Sequence, residues 1–241
     1  MRYLITLAYN GTAYHGWQYQ PNAITVQEVL ERCFSVVLRQ NISITGAGRT
    51  DTGVHASFYA AHFNAPEIAH LDSFVNKMNA FLPKDIALFA IKPVDDDFNA
   101  RFSAKKRSYR YQIHTTKDPF LEPLSWYYPY RLNLDLMNQA CTILQQHTDF
   151  ASFCKSGGDN KTTICHIFNA NWQRIGNQIL FQITADRFLR NMVRAIVGTM
   201  VEIGAGKTTL QQLQDIIKSK NRSNAGSSVP AKGLFLTAIE Y

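Results

Sequence analysis

Residues 25–63, TVQEVLERCFSVVLRQNISITGAGRTDTGVHASFYAAHF, run through a helix, a short strand, a glycine-rich loop and a second strand without interruption. Val26, Val29, Leu30, Cys33, Phe34, Val37 and Leu38 recur at the spacing of one helix face, which predicts a helix over Val26 to Gln40. Thr25 with Glu28 three residues later forms a capping box at its start. Ile42 to Thr45 then reads as a strand, Gly46 to Gly53 as the loop and Val54 to Phe63 as the second strand.

Residues upstream and downstream extend the same pattern. Residues 2 to 9 alternate and are rich in Tyr, Leu and Ile, so a strand precedes the Asn10-Gly11 turn. Asp72 is placed to cap a helix through Phe74, Val75, Met78 and Leu82 that stops at Pro83, and Ile86 to Ile91 returns as a strand. The first half, residues 1–100, is therefore β-α-β-β-α-β in outline. A second α+β unit, residues 101–241, opens with an aromatic strand from Ser108 to His114. It continues with a helix from Asp135 to Gln146 and a hairpin of Ile164 to Ile175 with Gln178 to Thr184 about Gly176-Asn177. Helices from Phe188 to Ile203 and from Thr209 to Lys218, the loop-like stretch Asn221 to Lys232, and a strand from Leu234 to Tyr241 complete it. No repeat of fixed period links the halves.

At 241 residues, 46% of them hydrophobic, the chain can bury a sizeable core. The formal charge of +7 favours a polyanion, through release of the counterions on its phosphates. Cys33, Cys141, Cys154 and Cys165 form no CxxC pair, and MRYLITLAYNG lacks the apolar core of a signal peptide, so a reduced, cytoplasmic protein is expected. The richest apolar stretch, Phe188 to Ile203, has Arg190, Asn191 and Arg194 within it, and no membrane span is expected.

The loop Gly46-Ala47-Gly48-Arg49-Thr50-Asp51-Thr52-Gly53-Val54-His55-Ala56 sets an Arg and an Asp two apart among three glycines. Glycines let the backbone approach another molecule closely, and a carboxylate there can accept a proton or attack as a nucleophile. Arg49 could keep Asp51 ionised or grip a phosphate. Spacing alone leaves an Asx-turn with an exposed ion pair equally open. On the helix predicted from Phe188, Arg187, Arg190 and Arg194 recur at three and four residues beside a broad apolar face, a basic stripe suited to phosphates. The stretch Arg101 to Tyr111 interleaves Arg and Lys with Phe102, Tyr109 and Tyr111, rings on which bases can stack. Tyr111 is better read as core.

Two other patterns fail on spacing. Gly204-Ala205-Gly206-Lys207-Thr208 looks like the end of a P-loop, but Val201 stands where the first glycine belongs, and the run follows a helix instead of a strand. His147, Cys154, Cys165 and His166 match no zinc spacing, so no metal is expected.

Taken together, GAGRTDTGVHA, the start YLITLAYNGTAYHGWQ, the stretch FNARFSAKKRSYRY, the run FLRNMVRAIVGTMVEIG and the tail PAKGLFLTAIEY resemble, in order, the segments of the TruA family of tRNA pseudouridine synthases. The resemblance runs nearly the whole chain. It implies two ferredoxin-like, RRM-like α+β halves whose antiparallel sheets join, with a basic active-site cleft between them. It implies isomerisation of uridines in the tRNA anticodon arm, positions 38–40, without a cofactor, by a homodimer. Asp51 then matches the catalytic carboxylate, Tyr109 the ring that stacks on the target base, and Arg194 the partner of that carboxylate. Arg49 matches the arginine that helps expel the base from its stack, and Leu234 a hydrophobic wall of the pocket. Thr52 stands where the family commonly has alanine or lysine. FASFCKSGGDNKTTICHI, residues 150–167, matches loosely and lacks the usual arginine after its second Phe. The same residues leave two rivals: a tRNA-binding chaperone without catalysis, and a related synthase acting on another RNA. An Asp-based hydrolase would call for the metal cluster or P-loop not found here.

Overall fold

The computed structural model describes residues 1–155, 157 and 161–241, so Ser156, Gly158, Asp159 and Asn160 of the loosely matching stretch lie outside the described residues. It divides the chain into one unit of Met1–Lys105 with Phe235–Tyr241, and a second of Lys106–Leu234. The tail thus groups with the first unit.

In unit 1, Arg2–Tyr9 (β1) buries Tyr3, Leu4, Ile5, Leu7 and Tyr9. Helix α1, Val26–Leu38, buries Val26, Val29, Leu30, Cys33 and Phe34 of the stripe its spacing predicted, leaving Val37 and Leu38 half-buried, and Thr25 caps it by accepting the Glu28 N–H at 3.3 Å. Its exit bends through Arg39 in the left-handed region at φ 55°. Strand β2 spans Ile44–Gly46, two residues later than its predicted start, and β3 spans His55–Asn64. Helix α2 covers Leu71–Phe81 and β4 covers Ile86–Val94.

The expected cap of α2 is displaced. His70, at φ 56°, takes the N-cap position without a side-chain bond, and Asp72 falls in the first turn. There its charge faces the positive end of the helix dipole, which is favourable but is not capping. β1 runs antiparallel to β3, with Ile5 opposite Ala61, and to β4, with Ile5 opposite Ile91. β2 adds to β3 through Ile44 opposite Phe63. The last strand, Leu234–Glu240, joins the start of β3 in parallel through His55 opposite Phe235. Phe34 of α1 meets Phe63 and Phe74 edge-on at 5.0 and 5.8 Å, tying both helices to the sheet.

In unit 2, Lys106–His114 (β5) starts two residues before its predicted position, and Trp126–Tyr127 (β6) pairs beside it in parallel. Helix α3 runs over Leu134–Gln145 with Asn133 as its cap. Strands β7, Ile167–Ile175, and β8, Gln178–Ala185, form the predicted hairpin, with Gly176 at φ 59° in its turn. β8 pairs antiparallel with both β7 and β5, and Trp172 stacks on Phe181 at 4.7 Å.

Helix α4, Met192–Gly204, starts four residues later than its apolar period predicted. Asn191 sits left-handed at φ 65° and ends the helical run there. Leu189 is buried ahead of the helix, and Phe188 packs edge-on against Tyr109 at 5.0 Å. The helical pattern in that stretch is thus made by tertiary packing, and Arg187 and Arg190 lie off the helix. Helix α5, Leu210–Ser219, carries a complete capping box of Thr209 and Gln212, and Leu234–Glu240 is β9. Among the described residues the protein is thus a mixed α+β fold with mostly antiparallel strands and five α-helices, and no helix is long and apolar enough to cross a membrane.

Candidate active site

β2 ends at Gly46 and β3 begins at His55, so the Asp51 loop occupies residues 47–54. Its floor is aromatic. Trp17 and Tyr59 stack with centroids 4.0 Å apart, and Tyr9 leans on Tyr59 at 5.6 Å and on Trp17 at 6.2 Å. A β-carbon at Gly46 would overlap the Tyr59 hydroxyl and the Trp17 indole nitrogen, so only glycine fits above these rings. The Tyr59 hydroxyl donates to the Gly48 carbonyl, and Tyr9 Oη and Thr50 Oγ1 share a hydrogen bond of 2.9 Å.

A second segment straps the loop from the other side. Trp17 N–H donates to the Thr50 carbonyl at 3.4 Å, and Gly53 N–H donates to the Tyr14 carbonyl at 3.2 Å. Gly16 stands at φ 85°, where a β-carbon would run into the Thr50 carbonyl. The loop then closes in a four-residue turn in which Val54 N–H donates to the Asp51 carbonyl at 3.1 Å. Gly53, at φ 75°, occupies the third position, as in type II turns.

Asp51 therefore opens a turn whose backbone is tied on both sides, and its side chain is half-buried. Arg49 and Thr52 are exposed, so the residue that departs from the family pattern is a solvent-facing turn position. His55 of the signature is a brace. It is buried, its Nδ1 accepts the Gly11 N–H at 3.0 Å, and its ring stacks on Phe235 at 4.6 Å.

Unit 2 holds the other named residues. Tyr109 is half-buried on β5 opposite Ile183, and Tyr111 is fully buried two residues on, donating from Oη to the Pro230 carbonyl at 2.8 Å. Burial pushes the Tyr111 phenol far above its ordinary range, against a smaller opposite pull from the Arg194 charge. Arg194, in the first turn of α4, donates from Nε to the Val229 carbonyl at 2.8 Å, while Val229 N–H donates to the Arg194 carbonyl at 3.3 Å. Arg190 is exposed and Arg187 half-buried. Leu234 is buried at the start of β9, directly after Gly233, where a β-carbon would press on the Tyr111 ring at 2.7 Å.

Sequence reasoning assigned the loop but missed what holds it: Tyr9, Tyr14, Gly16, Trp17 and Tyr59. The available signal was the glycine and aromatic content of YNGTAYHGWQ, whose partners are distant in the chain. In unit 2 it likewise missed the segment 225–230, read only as loop.

A family model described as tRNA pseudouridine synthase matches residues 5–103 and 140–241. A tRNA pseudouridine synthase A of Azobacteroides pseudotrichonymphae is 48% identical over 240 residues, covering 100% of this chain and 96% of that protein. Its namesake in Parabacteroides distasonis is 47% identical over 241 residues, with 100% and 96% covered. A more distant namesake in Thermoanaerobacter is 40% identical over 240 residues, with 99% and 98% covered.

Proposed function

The chain belongs to the tRNA pseudouridine synthase family of isomerases, and from that premise we propose that it converts uridines of the tRNA anticodon arm to pseudouridine with Asp51 as the catalytic carboxylate. The reaction breaks the bond between N1 of uracil and C1′ of ribose, turns the base, and joins C5 to C1′, with the C5 proton lost and one proton gained at N1. Atoms balance within the substrate, so no cofactor is called for. The carboxylate either attacks C1′ or removes a proton from the sugar, and both routes require a base or nucleophile delivered at a set position.

The observation that carries this reading is the anchorage of the Asp51 turn. Bonds with Trp17, Tyr14 and Tyr59 tie the loop backbone and Tyr9 holds the Thr50 hydroxyl, so the turn that carries the carboxylate is set before RNA arrives. Gly48 has nothing within 4 Å of where a β-carbon would stand, leaving the loop open at that point. In the same proposal Tyr109 stacks on the target base, Arg194 pairs with the carboxylate, Arg49 takes the place of the expelled uridine, and Leu234 lines the pocket. The ferredoxin-like topology of each half and a homodimeric assembly belong to this proposal too. The positive charge of the chain supports a polyanionic substrate.

Site-mapped detection of pseudouridine in total tRNA incubated with the native protein and with Asp51→Asn tests it. Product in the anticodon arm from the native protein only, with at least a thousandfold loss in the variant, is expected. Tight tRNA binding without any isomerisation would sink the catalytic reading and leave a chaperone. Pseudouridine at other sites, or in other RNA, would place the chain with a related synthase.

A further inference from the structure

Arg194 does not stand alone on α4, because its guanidinium is bonded to a segment that other groups hold. The segment Ala225–Pro230 lies along the helix and is pinned to it at successive points. Gly226 N–H donates to Thr199 Oγ1 at 2.9 Å, and a β-carbon at Gly198 would overlap the Ser227 carbonyl. Asn191 Nδ2 donates to Ser228 Oγ at 2.5 Å, and Val229 exchanges two bonds with Arg194. Pro230 receives the Tyr111 hydroxyl.

The side chain that gathers this segment is Arg222. Its Nη1 donates to the Ala225 carbonyl at 3.2 Å and to the Gly226 carbonyl at 3.1 Å, and its Nη2 donates to Ser228 Oγ at 3.0 Å. One planar, rigid fork thus ties three acceptors within four residues, a task a lysine ammonium on a flexible stem cannot reproduce. Ser228, bonded by both Arg222 and Asn191, immediately precedes the carbonyl that receives Arg194 Nε.

We propose that Arg222 is a positioning residue, which sets the orientation of the Arg194 guanidinium by holding the segment 225–230 that presents the Val229 carbonyl. Arg222 itself touches neither RNA nor the reacting atoms. The inference rests on the role given above to Arg194. A shift of the Val229 carbonyl rotates the guanidinium, and displacements of that kind, on the order of 1 Å, slow reactions about a hundredfold.

Single-turnover kinetics of pseudouridine formation with the full chain test it, in a cycle of Arg222→Ala and Arg194→Lys. Arg222→Ala is expected to lower kcat about 10- to 100-fold, with KM for tRNA changed less than about threefold. In Arg194→Lys the Nε–H bond to Val229 is gone, so adding Arg222→Ala is expected to lower the rate by no more than about twofold. Arg222→Lys is expected to resemble Arg222→Ala. Equal losses in both backgrounds, or no loss from Arg222→Ala, overturn the proposal. Hydrogen exchange at Arg194 Nε, assigned by its loss in Arg194→Lys, reads the geometry without any turnover and should quicken in Arg222→Ala. Unchanged exchange overturns the proposal even where the native protein makes no pseudouridine, the outcome that would defeat the catalytic reading itself. Should Arg222→Ala fail to fold, Ser228→Ala cuts the same link more gently and is expected to give the same pattern with a smaller loss.

Discussion

Gly46, at the end of β2, and Gly48, in the loop that follows, sit two residues apart and have opposite surroundings. A β-carbon at Gly46 meets two stacked, buried rings, and Trp17 and Tyr59 have nowhere to move. Overpacking of this kind costs about 1–3 kcal/mol. At Gly48 there is open space, and its φ is not positive. Gly46→Ala is therefore expected to lower the melting temperature by several degrees and to slow catalysis by disturbing the Asp51 turn, whereas Gly48→Ala should leave stability within about 0.5 kcal/mol. Thermal denaturation of the two variants checks this, and equal melting temperatures would show that the aromatic floor is not rigid. A residue-level reading of GAGRTDTG could not rank these glycines, because the rings that separate them come from residues 9, 17 and 59.

At the scale of elements, the most instructive case is α4. Its apolar period continues into Phe188 and Leu189, yet the backbone turns left-handed at Asn191, whose side chain bonds Ser228. Periodicity records which side chains are buried, and a loop packed against a strand satisfies it as well as another helical turn does. The arginines consequently do not form one helical stripe. Arg194 is bonded to the neighbouring segment, while exposed Arg190 has the solvent access expected of a phosphate contact. Arg190→Ala is expected to weaken tRNA binding and to reduce the slope of log K against log salt by about 1, leaving single-turnover kcat within about twofold. Filter binding across a salt series measures the slope. An unchanged slope would take Arg190 out of the RNA interface. Where local chemistry decides, the elements start close to their predicted positions: α1 follows its predicted cap Thr25, and α5 starts at Leu210, one residue after the predicted start Thr209, which caps it.

For the whole molecule, two buried histidines make stability depend on pH. His62 accepts the Ala100 N–H through Nδ1 at 3.1 Å, and burial, aided by the Arg2 charge, holds its pKa below the ordinary value. His114, fully buried with Nδ1 bonded to Ser125 Oγ at 3.0 Å, is lowered chiefly by burial as well. Each is favoured neutral in the fold, so the unfolded chain takes up protons first. The stability they contribute is complete above about pH 6.5 and is lost as pH falls through the lowered folded pKa values. Melting temperature is expected to be level from pH 7 to 8 and to decline below about pH 6.5. His62→Asn, which keeps a neutral acceptor, should flatten part of that decline, and a decline as steep as in the native protein would remove His62 from the account.

The short strand β6 apart, the sequence by itself determined the kinds and order of the main elements, the location of the Asp51 loop, and the family, because capping, periodicity and ordered motifs are written in neighbouring residues. The candidates Asp51 and Arg49 came from the same source, because both lie in one unbroken signature. Tertiary structure alone decided that YNGTAYHGWQ straps that loop, that α4 begins at Met192, that His70 in place of Asp72 heads α2, and that Arg222 bonds the segment 225–230, whose Val229 carbonyl receives Arg194. Each of these depends on groups far apart in the chain meeting in space, or on backbone turned left-handed by packing. Spacing along the chain does not encode which distant ring or carbonyl will be there to receive a given side chain.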